Sequence, residues 1–207
     1  MTIGVTGIFG SGKSTVLNYF QKEGAITVSA DAIVHDLLRQ KRIKEAVKSL
    51  FGKRVFNHGR IDRKVLGKIV FEDKRKRMQL EKIFHPLVLK RIEVERKKSG
   101  KDKIFVVEVP LLFESAISQA FEQVFDYIVC VSARMGVIKK RLEKKGISEN
   151  EILKRWANQW ALSEKEKRSD FIIDNDSSRA ETKKQVCHLI KILKGEVENG
   201  RNKRNDG

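Results

Sequence analysis

The chain has 207 residues, 40% of them hydrophobic, which is enough for one substantial core in a single domain or in a domain with an insertion. No apolar run approaches the ~20 residues of a membrane-spanning helix, and the N-terminus has no signal-peptide pattern, so we predict a soluble, cytoplasmic protein. The formal net charge of +17 makes nucleic acid one of the ligands to be weighed.

Five strand-like apolar runs are separated by helical segments. They are residues 2–6, 25–29, 103–109, 126–132 and 171–173. Near-continuous apolar strands that alternate with helices are typical of a parallel sheet covered on both faces, because right-handed crossovers place the helices there. The sequence therefore predicts an α/β fold with a five-stranded parallel sheet.

The first strand leads into GIFGSGKS, residues 7–14, which fits the phosphate-binding pattern G-x-x-x-x-G-K-[ST] and is called the P-loop below. Glycines let backbone N–H groups turn toward phosphate oxygens, and the following helix adds the partial positive charge of its N-terminus. Lys13 is expected to hold the β- and γ-phosphates of a nucleotide and Ser14 to ligate Mg²⁺. The alternative is a glycine-rich turn that only joins strand to helix.

The segment SADAIV follows the second strand and places Asp31 at its C-terminal end beside the P-loop, where open α/β sheets bind ligands. A carboxylate there can orient an acceptor hydroxyl and accept its proton. Asp is also a favoured N-cap, so a purely structural role remains open. A P-loop alone fits a kinase, a GTPase or a motor, but the chain has no Asn-Lys-x-Asp guanine signature and is too short for a motor's additional domains.

About seventy residues of helical pattern, without a clear strand, separate the second and third strands, whereas one crossover helix needs only ~10–15 residues. We therefore predict an inserted helical subdomain. The span 39–103 holds 23 Lys/Arg and 8 Asp/Glu, so +15 of the net charge falls there. We interpret most of these cations as solvated helix faces, then as contacts to an anionic substrate, and last as a nucleic-acid surface, because no aromatic residues interleave the densest run, KRKR at 74–77.

Three Ser–Glu pairs, each three residues apart, predict capping boxes at later helix starts. They are Ser148 with Glu151, Ser163 with Glu166, and Ser178 with Glu181. From residue 195 onward the charges nearly cancel, no periodicity is visible and three glycines occur, so we predict a flexible tail over 195–207.

Motifs along the chain as far as residue 194 occur together in one known family. They are IGVTGIFGSGKSTV, SADAIVHDLL, GRIDRKVLGKIVF, IFHPLV, VPLLFE, RWANQ and SDFIIDN. The sequence resembles the dephospho-coenzyme A (dephospho-CoA) kinase family, which uses ATP to phosphorylate the ribose 3′-hydroxyl of dephospho-CoA. The P-loop is common to many proteins, whereas HPLV followed by PLLFE at this separation is distinctive of the family.

The resemblance implies a P-loop kinase core with an inserted helical acceptor subdomain and a small helical lid. The implied segments are a single domain over 1–194, its core at 1–38 and 103–194, an acceptor-binding region at about 39–102, a lid at about 134–160, and the tail at 195–207.

On the acceptor side, the resemblance implies roles for residues at matching positions. They are Asp31, as base for the acceptor hydroxyl, and His85, Pro110, Leu111, Leu112 and Glu114 as further acceptor-binding residues. His85 and Pro86 match a His-Pro pair of the family's CoA-binding region. Pro86 also favours a helix break, since proline disfavours helix in its predecessor, and the two roles of His85 are compatible. Glu114 is expected to bond to the backbone or to the substrate.

On the ATP side, Arg141 lies in the basic helix KKRLEKK, where the family has a mobile lid whose arginines reach the ATP phosphates. A planar guanidinium suits this role because it holds two oxygens as charge develops, and a solvated helix face is the alternative. Asn175 resembles a position near the adenine, and Arg155 and Gln159 fit the family's spacing on the next helix. The implied ATP-binding residues are Gly10, Ser11, Gly12, Lys13, Ser14, Thr15 and Asn175. The implied catalytic residues are Lys13, Asp31 and Arg141.

Three features depart from the family's usual pattern. Ile8 and Phe9 stand where the family often has a second glycine and an isoleucine, which alters the packing of the P-loop. Lys145 stands where a second lid arginine is expected and weakens a bidentate contact. Ser29 replaces a frequent aspartate, which leaves Asp31 as the only acid expected at this strand end.

The resemblance implies ATP-dependent phosphorylation of the ribose 3′-hydroxyl of dephospho-CoA, the last step of CoA biosynthesis, with Mg²⁺ as cofactor. The expected partners are ATP and dephospho-CoA, without nucleic acid or membrane, in a monomer or weak homo-oligomer. The nearest alternative is a nucleoside or nucleotide kinase with the same core, and an alternative from another class is a basic, nucleic-acid-binding ATPase.

Overall fold

A computed structural model describes residues 1–100, 103–114 and 118–205 of the chain. Over these residues seven strands and ten α-helices follow one another. The strands are β1 (Thr2–Thr6), β2 (Ile26–Ser29), β3 (Phe56–Asn57), β4 (Arg60–Ile61), β5 (Phe105–Glu108), β6 (Tyr127–Ser132) and β7 (Phe171–Asp174). The helices are α1 (Lys13–Lys22), α2 (Ala30–Leu37), α3 (Lys41–Phe51), α4 (Arg63–Glu72), α5 (Lys74–Lys98), α6 (Ser118–Glu122), α7 (Met135–Glu143), α8 (Glu149–Trp156), α9 (Leu162–Lys167) and α10 (Arg179–Asn205).

Five of the strands form one parallel sheet in the order β2-β5-β1-β6-β7, with β1 at its centre. All residues of β1 are buried, as expected for the middle strand of a sheet that carries helices on both faces. The predicted α/β fold with a five-stranded parallel sheet is confirmed. Because the strands run in the same direction, their C-terminal ends all lie at one edge of the sheet.

This C-terminal edge carries the segments that the sequence motifs single out. The P-loop leaves β1 after Thr6 and leads into α1, and α2 follows directly on β2. Ser29, the last residue of β2, is in register with Glu108, the last residue of β5. The parallel register therefore brings the P-loop, the start of α2 and the loop after β5 side by side.

Apolar side chains form a core on each face of the sheet. One core joins the sheet to α2, α3, α4 and α5 and contains the fully buried Val47 and Ile92. The other packs α1 and α10 against the sheet through Phe20 and Leu193. A third, smaller cluster joins the P-loop to α7 and α8.

The region between β2 and β5 is mainly helical, but it also contains a small hairpin. A 3₁₀ turn at Lys53–Val55 leads into the antiparallel pair of β3 and β4. The hairpin turn is His58-Gly59, and both residues have positive φ, 46° and 71°, as a type I′ turn requires. The expectation of a region without strands is therefore wrong, because two-residue strands carry too little periodicity to be recognised in a sequence.

Helix α5 runs for 25 residues without a break, although Pro86 lies inside it. Proline removes one backbone donor and crowds the preceding turn. Here Phe84, Val88 and Ile92 bury one face of α5 on both sides of the proline, and this packing holds the helix together. The predicted helix break at His85 is therefore wrong.

Two of the three predicted serine caps are confirmed. Ser148 and Ser178 each accept a hydrogen bond from the backbone N–H three residues further on. The prediction for Ser163 is wrong, because α9 begins one residue earlier and Ser163 lies inside it. Its partner Glu166 instead accepts a hydrogen bond from the Ser132 hydroxyl.

Helix α10 continues through Asn205, so the backbone over 195–205 is helical where the sequence predicts an irregular tail. A helix that is already packed through Val186 and Leu193 gains one hydrogen bond for each further residue that it orders. Neither α10 nor any other helix in the described part of the chain is long and apolar enough to cross a membrane.

Candidate active site

The P-loop turns from β1 into the first turn of α1, and its shape depends on glycine. Gly10 and Gly12 have φ of 87° and 99°, which side-chain-bearing residues rarely adopt. A Cβ on Gly12 would lie 1.9 Å from Nδ2 of Asn175, and one on Gly10 would lie 2.7 Å from Ile138 and Leu142. Side chains of Asn175, Ile138 and Leu142 therefore pack closely against these two glycines. The backbone N–H groups in the first turn of α1 that have no partner within the helix are the donors available to an anion.

Lys13 is the first residue of α1, and its ammonium group folds back onto the P-loop. Nζ donates to the carbonyls of Gly7 at 3.0 Å and Ile8 at 3.1 Å, and only 8% of the residue is exposed. Burial lowers the pKa of Lys13, while the negative charges of Glu108 and Asp31 oppose that shift. The ammonium group therefore lies inside the loop and within electrostatic reach of two carboxylates.

The hydroxyl groups of the P-loop differ in their surroundings. Ser14, in the first turn of α1, is exposed, and its hydroxyl makes no hydrogen bond to any residue that the structure describes. Ser11 is fully buried, and its Oγ also lacks a partner within the described residues. Thr15 is partly buried beside them. Ser14 is thus the hydroxyl that a ligand can reach from solvent.

Two carboxylates flank Lys13 at the ends of neighbouring strands. Asp31 is the second residue of α2, and Glu108 ends β5 opposite Ser29. Loss of hydration raises the pKa of Asp31, and the positive charges of Lys13 and Arg63 oppose this. Loss of hydration also raises the pKa of Glu108; Lys13 opposes that shift, and Asp31 adds to it. The charges of Lys13, Asp31 and Glu108 therefore act on one another's pKa.

The capping alternative for Asp31 is excluded, because Ser29 is the N-cap of α2. The Ser29 hydroxyl accepts a hydrogen bond from the N–H of Ala32 at 3.4 Å. The expectation that Asp31 is the only acid here is wrong, because the pairing of β2 with β5 brings Glu108 to the same strand end. The signal that could have identified Glu108 is an acid at the end of the otherwise apolar run KIFVVEV.

A cleft of about 350 Å³, hereafter the acceptor cleft, opens beside Asp31 between the inserted helices and the loop after β5. Its apolar lining includes Val34, Val70, Phe71, Phe84 and Val88. The predicted acceptor-binding residues that line it are Asp31, His85, Pro110, Leu111 and Glu114. Asn158, which follows α8, also lines the cleft, so the inserted region and the predicted lid meet around the same space.

Leu112 is the one predicted acceptor-binding residue that does not line the acceptor cleft. It is fully buried in the core that joins the sheet to the inserted helices. Its neighbour Leu111 is 46% exposed and faces the cleft. The structure therefore brings Leu111 but not Leu112 to the cleft, because apolar neighbours in a sequence do not reveal which of them enters the core.

His85 lies on α5, and its ring contacts Phe121 edge-to-face with the ring centres 5.8 Å apart. Burial lowers the pKa of His85. This shift favours the neutral imidazole, which adds no charge to the cleft.

Glu114 is held at the rim of the acceptor cleft by a buried ion pair. Its Oε1 accepts from the backbone N–H of Trp160 at 2.8 Å and lies 2.7 Å from Nζ of Lys165. Lys165 is fully buried and also donates to the carbonyl of Pro110 at 2.9 Å. The other carboxylate oxygen of Glu114 is buried without a partner in the described residues. Lys165 was missed from the sequence, because nothing in LSEKEK distinguishes it from its solvated neighbours.

Arg141 and Asn175 lie behind the P-loop and bond to each other. Arg141 Nη1 donates to the Asn175 carbonyl at 2.7 Å. The Asn175 side chain is buried, where it donates to the Ser11 carbonyl at 2.8 Å and accepts from the Thr182 hydroxyl at 2.9 Å. The Asn175 amide therefore supports the P-loop, which differs from the open adenine contact that the resemblance implies.

The predicted lid also contacts the P-loop at Phe9. The Phe9 N–H donates to Oε1 of Gln159 at 2.7 Å, and its carbonyl accepts from Nε1 of Trp156 at 3.0 Å. The guanidinium carbon of Arg155 lies 4.3 Å from the centre of the Phe9 ring. Ile8 is buried in the cluster shared with α7 and α8. Ile8 and Phe9, which depart from the family's usual pattern, therefore pack the P-loop against the predicted lid. The motif RWANQ provides the hydrogen bonds to Phe9 and the arginine that lies over its ring.

Comparisons with known proteins agree over nearly the whole chain. The family model described as dephospho-CoA kinase (CoaE) matches residues 1–181. A dephospho-CoA kinase of Aquifex aeolicus is 39% identical over 193 residues, which cover 92% of this chain and 96% of that protein.

Two solved structures extend the similarity to three dimensions. TT1252 from Thermus thermophilus has a TM-score of 0.79 at 29% identity, and the match covers 93% of this chain and 97% of that one. A dephospho-CoA kinase from Campylobacter jejuni has a TM-score of 0.66 at 28% identity, with coverages of 94% and 98%.

Proposed function

Because the chain belongs to the dephospho-CoA kinase family, we propose that Lys13, Asp31 and the acceptor cleft carry out its phosphoryl transfer. The family catalyses the final step of CoA biosynthesis, so the chain is a kinase of the P-loop type. The observation that carries our residue assignment is the electrostatic coupling of Lys13 to Asp31 where the P-loop adjoins the acceptor cleft. Donor and acceptor would meet at that point.

On the donor side, we assign the β- and γ-phosphates of ATP to the P-loop. The Lys13 ammonium would give up its hydrogen bonds to the Gly7 and Ile8 carbonyls and bind phosphate oxygens instead. Because phosphate oxygens are negatively charged, these hydrogen bonds would be stronger. Backbone N–H groups of the P-loop without a partner among the described residues, such as those of Lys13 and Ser14, would complete the cradle. Positioning and charge stabilisation are the main contributions that a protein makes to phosphoryl transfer.

Kinases of this kind generally need Mg²⁺, and we propose that the ion binds beside Ser14. In the described residues no group of three or more His, Cys, Asp or Glu side chains could hold a metal ion by itself. Mg²⁺ suits a site with few protein oxygens, because it usually keeps several waters and binds substrate phosphates. The exposed Ser14 hydroxyl fits this requirement, as does the carboxylate of Glu108, which interacts electrostatically with the neighbouring Lys13, and the bound ion would neutralise phosphate charge.

On the acceptor side, we propose that Asp31 orients the ribose 3′-hydroxyl and accepts its proton. Its pKa is raised, which makes the carboxylate a better proton acceptor than an ordinary aspartate. The remaining predicted acceptor contacts would come from His85, Pro110, Leu111 and Glu114 around the cleft. The inserted region at 39–102 would then be the acceptor-binding region.

The role of Arg141 in transition-state stabilisation remains a prediction. To reach a phosphate, its guanidinium would have to leave the Asn175 carbonyl. The lid at 134–160 is anchored to the P-loop through Phe9, so its closure would act on the phosphate cradle directly. Closure of this kind would exclude water and limit ATP hydrolysis. A cytoplasmic location and a monomeric or weakly oligomeric state are inferred from sequence only.

A coupled assay of ADP release tests the proposed function. We expect dephospho-CoA to stimulate ADP formation strongly and Lys13→Ala to abolish that stimulation, while circular dichroism shows that the variant is folded. Equal or better stimulation by nucleosides or nucleotides would favour the alternative kinase. Stimulation by DNA would favour the nucleic-acid-binding ATPase.

A further inference from the structure

A second cleft, of about 480 Å³, lies between the C-terminal end of α2, helix α3, strand β4 and the start of α4. Five basic side chains line it, and no carboxylate among the described residues does. They are His35, Arg39, Lys44, Arg60 and Arg63. We call this space the basic cleft. None of these residues has a place in the phosphate-transfer site assigned above.

The positive charges of the basic cleft are not balanced by the protein. Lys44, Arg60 and Arg63 form no ion pair within the described residues. Arg39 lies 3.8 Å from Asp36, but both side chains are about 70% exposed, so this pair contributes little. Asp62, the nearest acid in the hairpin, caps α4 by accepting from two backbone N–H groups. Like charges gathered in one concave space favour an anionic ligand.

The basic cleft adjoins the proposed position of the acceptor hydroxyl. Asp31 and His35 lie four residues apart on α2, and side chains at this spacing are neighbours on one helix face. Arg63 lines the basic cleft, and its positive charge also acts on Asp31, where it opposes the rise in the pKa of that carboxyl group. A ligand with its ribose at Asp31 can therefore extend into the basic cleft without crossing the core.

We propose that the basic cleft binds the diphosphate of the acceptor, an inference that rests on the proposed function. In dephospho-CoA only the furanose ring and one methylene separate the 3′-hydroxyl from the 5′-diphosphate. With the ribose at Asp31, the diphosphate enters the basic cleft and the base enters the apolar acceptor cleft. Arginine forks and the Lys44 ammonium provide charge-assisted hydrogen bonds to diphosphate oxygens.

Other anions fit this arrangement less well. A nucleic-acid strand is bound by cations along an extended groove with aromatic stacking platforms, whereas the basic cleft is compact and no Phe, Tyr or Trp among the described residues lines it. A free nucleoside polyphosphate or inorganic pyrophosphate shares the phosphate chemistry, so the experiment has to separate these from the acceptor.

The test uses Lys44→Ala, Arg60→Ala and the double variant in the full-length protein. Lys48→Ala is the matched control, because Lys48 lies one turn further along α3, is exposed and does not line the cleft. We measure kcat and KM for dephospho-CoA, KM for ATP, and inhibition by inorganic pyrophosphate. Calorimetry measures dephospho-CoA binding to protein saturated with a non-hydrolysable ATP analogue.

We expect the double variant to raise KM and Kd for dephospho-CoA by ~10-fold or more, because charged hydrogen bonds are lost. The kcat and the KM for ATP should stay close to the wild-type values, and the control should behave like wild type. An unchanged KM for dephospho-CoA in an active enzyme overturns the inference alone. So does a variant that loses only its inhibition by free pyrophosphate. A wild-type protein that does not phosphorylate dephospho-CoA overturns the proposed function and this inference together.

Discussion

Lys13, Asp31 and Glu108 place three charges close together at the C-terminal edge of the sheet, where Lys13 is buried, Glu108 is partly buried and Asp31 is exposed. Loss of hydration lowers the pKa of Lys13 and raises the pKa of both acids, so the charged forms of Lys13 and Glu108 are held at a cost in folding free energy. Groups perturbed in this way cluster at functional sites, where a ligand later supplies the missing partner. We therefore expect this arrangement to favour ligand binding at some expense of stability.

Asp31→Asn tests the base assignment. We expect the turnover number to fall by ~10²–10⁴, the range typical of a lost general base. The melting temperature should change little, because Ser29 caps α2 and Asp31 is exposed. ADP release and thermal melting are measured on the same preparation. Turnover within a few-fold of wild type would mean that another group, with Glu108 the nearest candidate, receives the proton.

Glu108→Gln tests whether the ionised carboxylate of Glu108 destabilises the fold, through the pH dependence of the melting temperature. Since the pKa of Glu108 is raised, the folded protein binds this proton more tightly than the unfolded chain, and ionisation destabilises the fold at neutral pH. We expect the variant to melt at a higher temperature than wild type at neutral pH. The difference should shrink as the pH falls through the raised pKa toward the ordinary glutamate range, because the wild-type carboxyl then becomes protonated when folded.

Thermal melts of wild type and Glu108→Gln between about pH 7 and pH 4 check this expectation. Glu45→Gln, on the exposed surface of α3, is the control. A lower melting temperature for Glu108→Gln at neutral pH would show that its attraction to Lys13 outweighs its loss of hydration.

Lys165→Met tests the buried pair behind the acceptor cleft. Removing one partner of a buried ion pair leaves the other charge uncompensated, so we expect a loss of ~3–5 kcal/mol in the free energy of unfolding. Lys167→Met, which breaks an exposed pair on the same helix, should cost less than ~1 kcal/mol. Urea unfolding measures both. Equal losses would contradict the role of Lys165, and the double variant with Glu114→Gln should recover part of the stability.

At the scale of elements, the strands and the P-loop were predictable, because they rest on long apolar runs and on a motif with fixed geometry. The predicted run at 126–132 differs from β6 by a single residue at its start. The continuous helix through Pro86 was not predictable, because its cause is the burial of Phe84, Val88 and Ile92 by distant segments. The contacts of Phe9 with α8 and with the residues after it were equally hidden, because they join distant parts of the chain. Phe9 and Gln159, for example, lie 150 positions apart.

Gln159→Ala tests this connection between the lid and the P-loop. The variant leaves the Phe9 N–H without its 2.7 Å partner, so the loop should become less ordered. A hydrogen bond of this kind contributes about 1 kcal/mol, and we expect ATP to bind ~3–10-fold more weakly. Calorimetric titration with a non-hydrolysable ATP analogue measures the effect. Lys154→Ala, on the exposed side of α8, is the control, and equal affinities for the two variants would contradict the connection.

At the scale of the whole molecule, the parallel sheet determines which motifs meet. Each motif could be recognised in the sequence, and Asp31, His85, Pro110, Leu111 and Glu114 do line one cleft. Strand register and burial could not be recognised, and for that reason Glu108 and Lys165 were missed and the burial of Leu112 in the core was not predicted. The position of the charges could not be predicted either. The net charge follows from composition, whereas the gathering of basic side chains in the basic cleft depends on the packing of α2, α3 and α4.

The distribution of charge leads us to expect no tight binding of nucleic acid. In α5, Arg91, Lys97 and Lys98 pair with glutamates on the same helix, and the basic cleft gathers only part of the remaining excess. A protein that neutralises 6–10 phosphates loses ~10³–10⁵ in affinity between about 50 and 200 mM salt. A diphosphate offers far fewer charges, so KM for dephospho-CoA should rise by much less over that range.

Fluorescence anisotropy with labelled duplex and single-stranded DNA at about 150 mM salt provides the comparison. Submicromolar binding with a steep salt dependence would contradict this expectation and would favour a nucleic-acid role for the inserted helices.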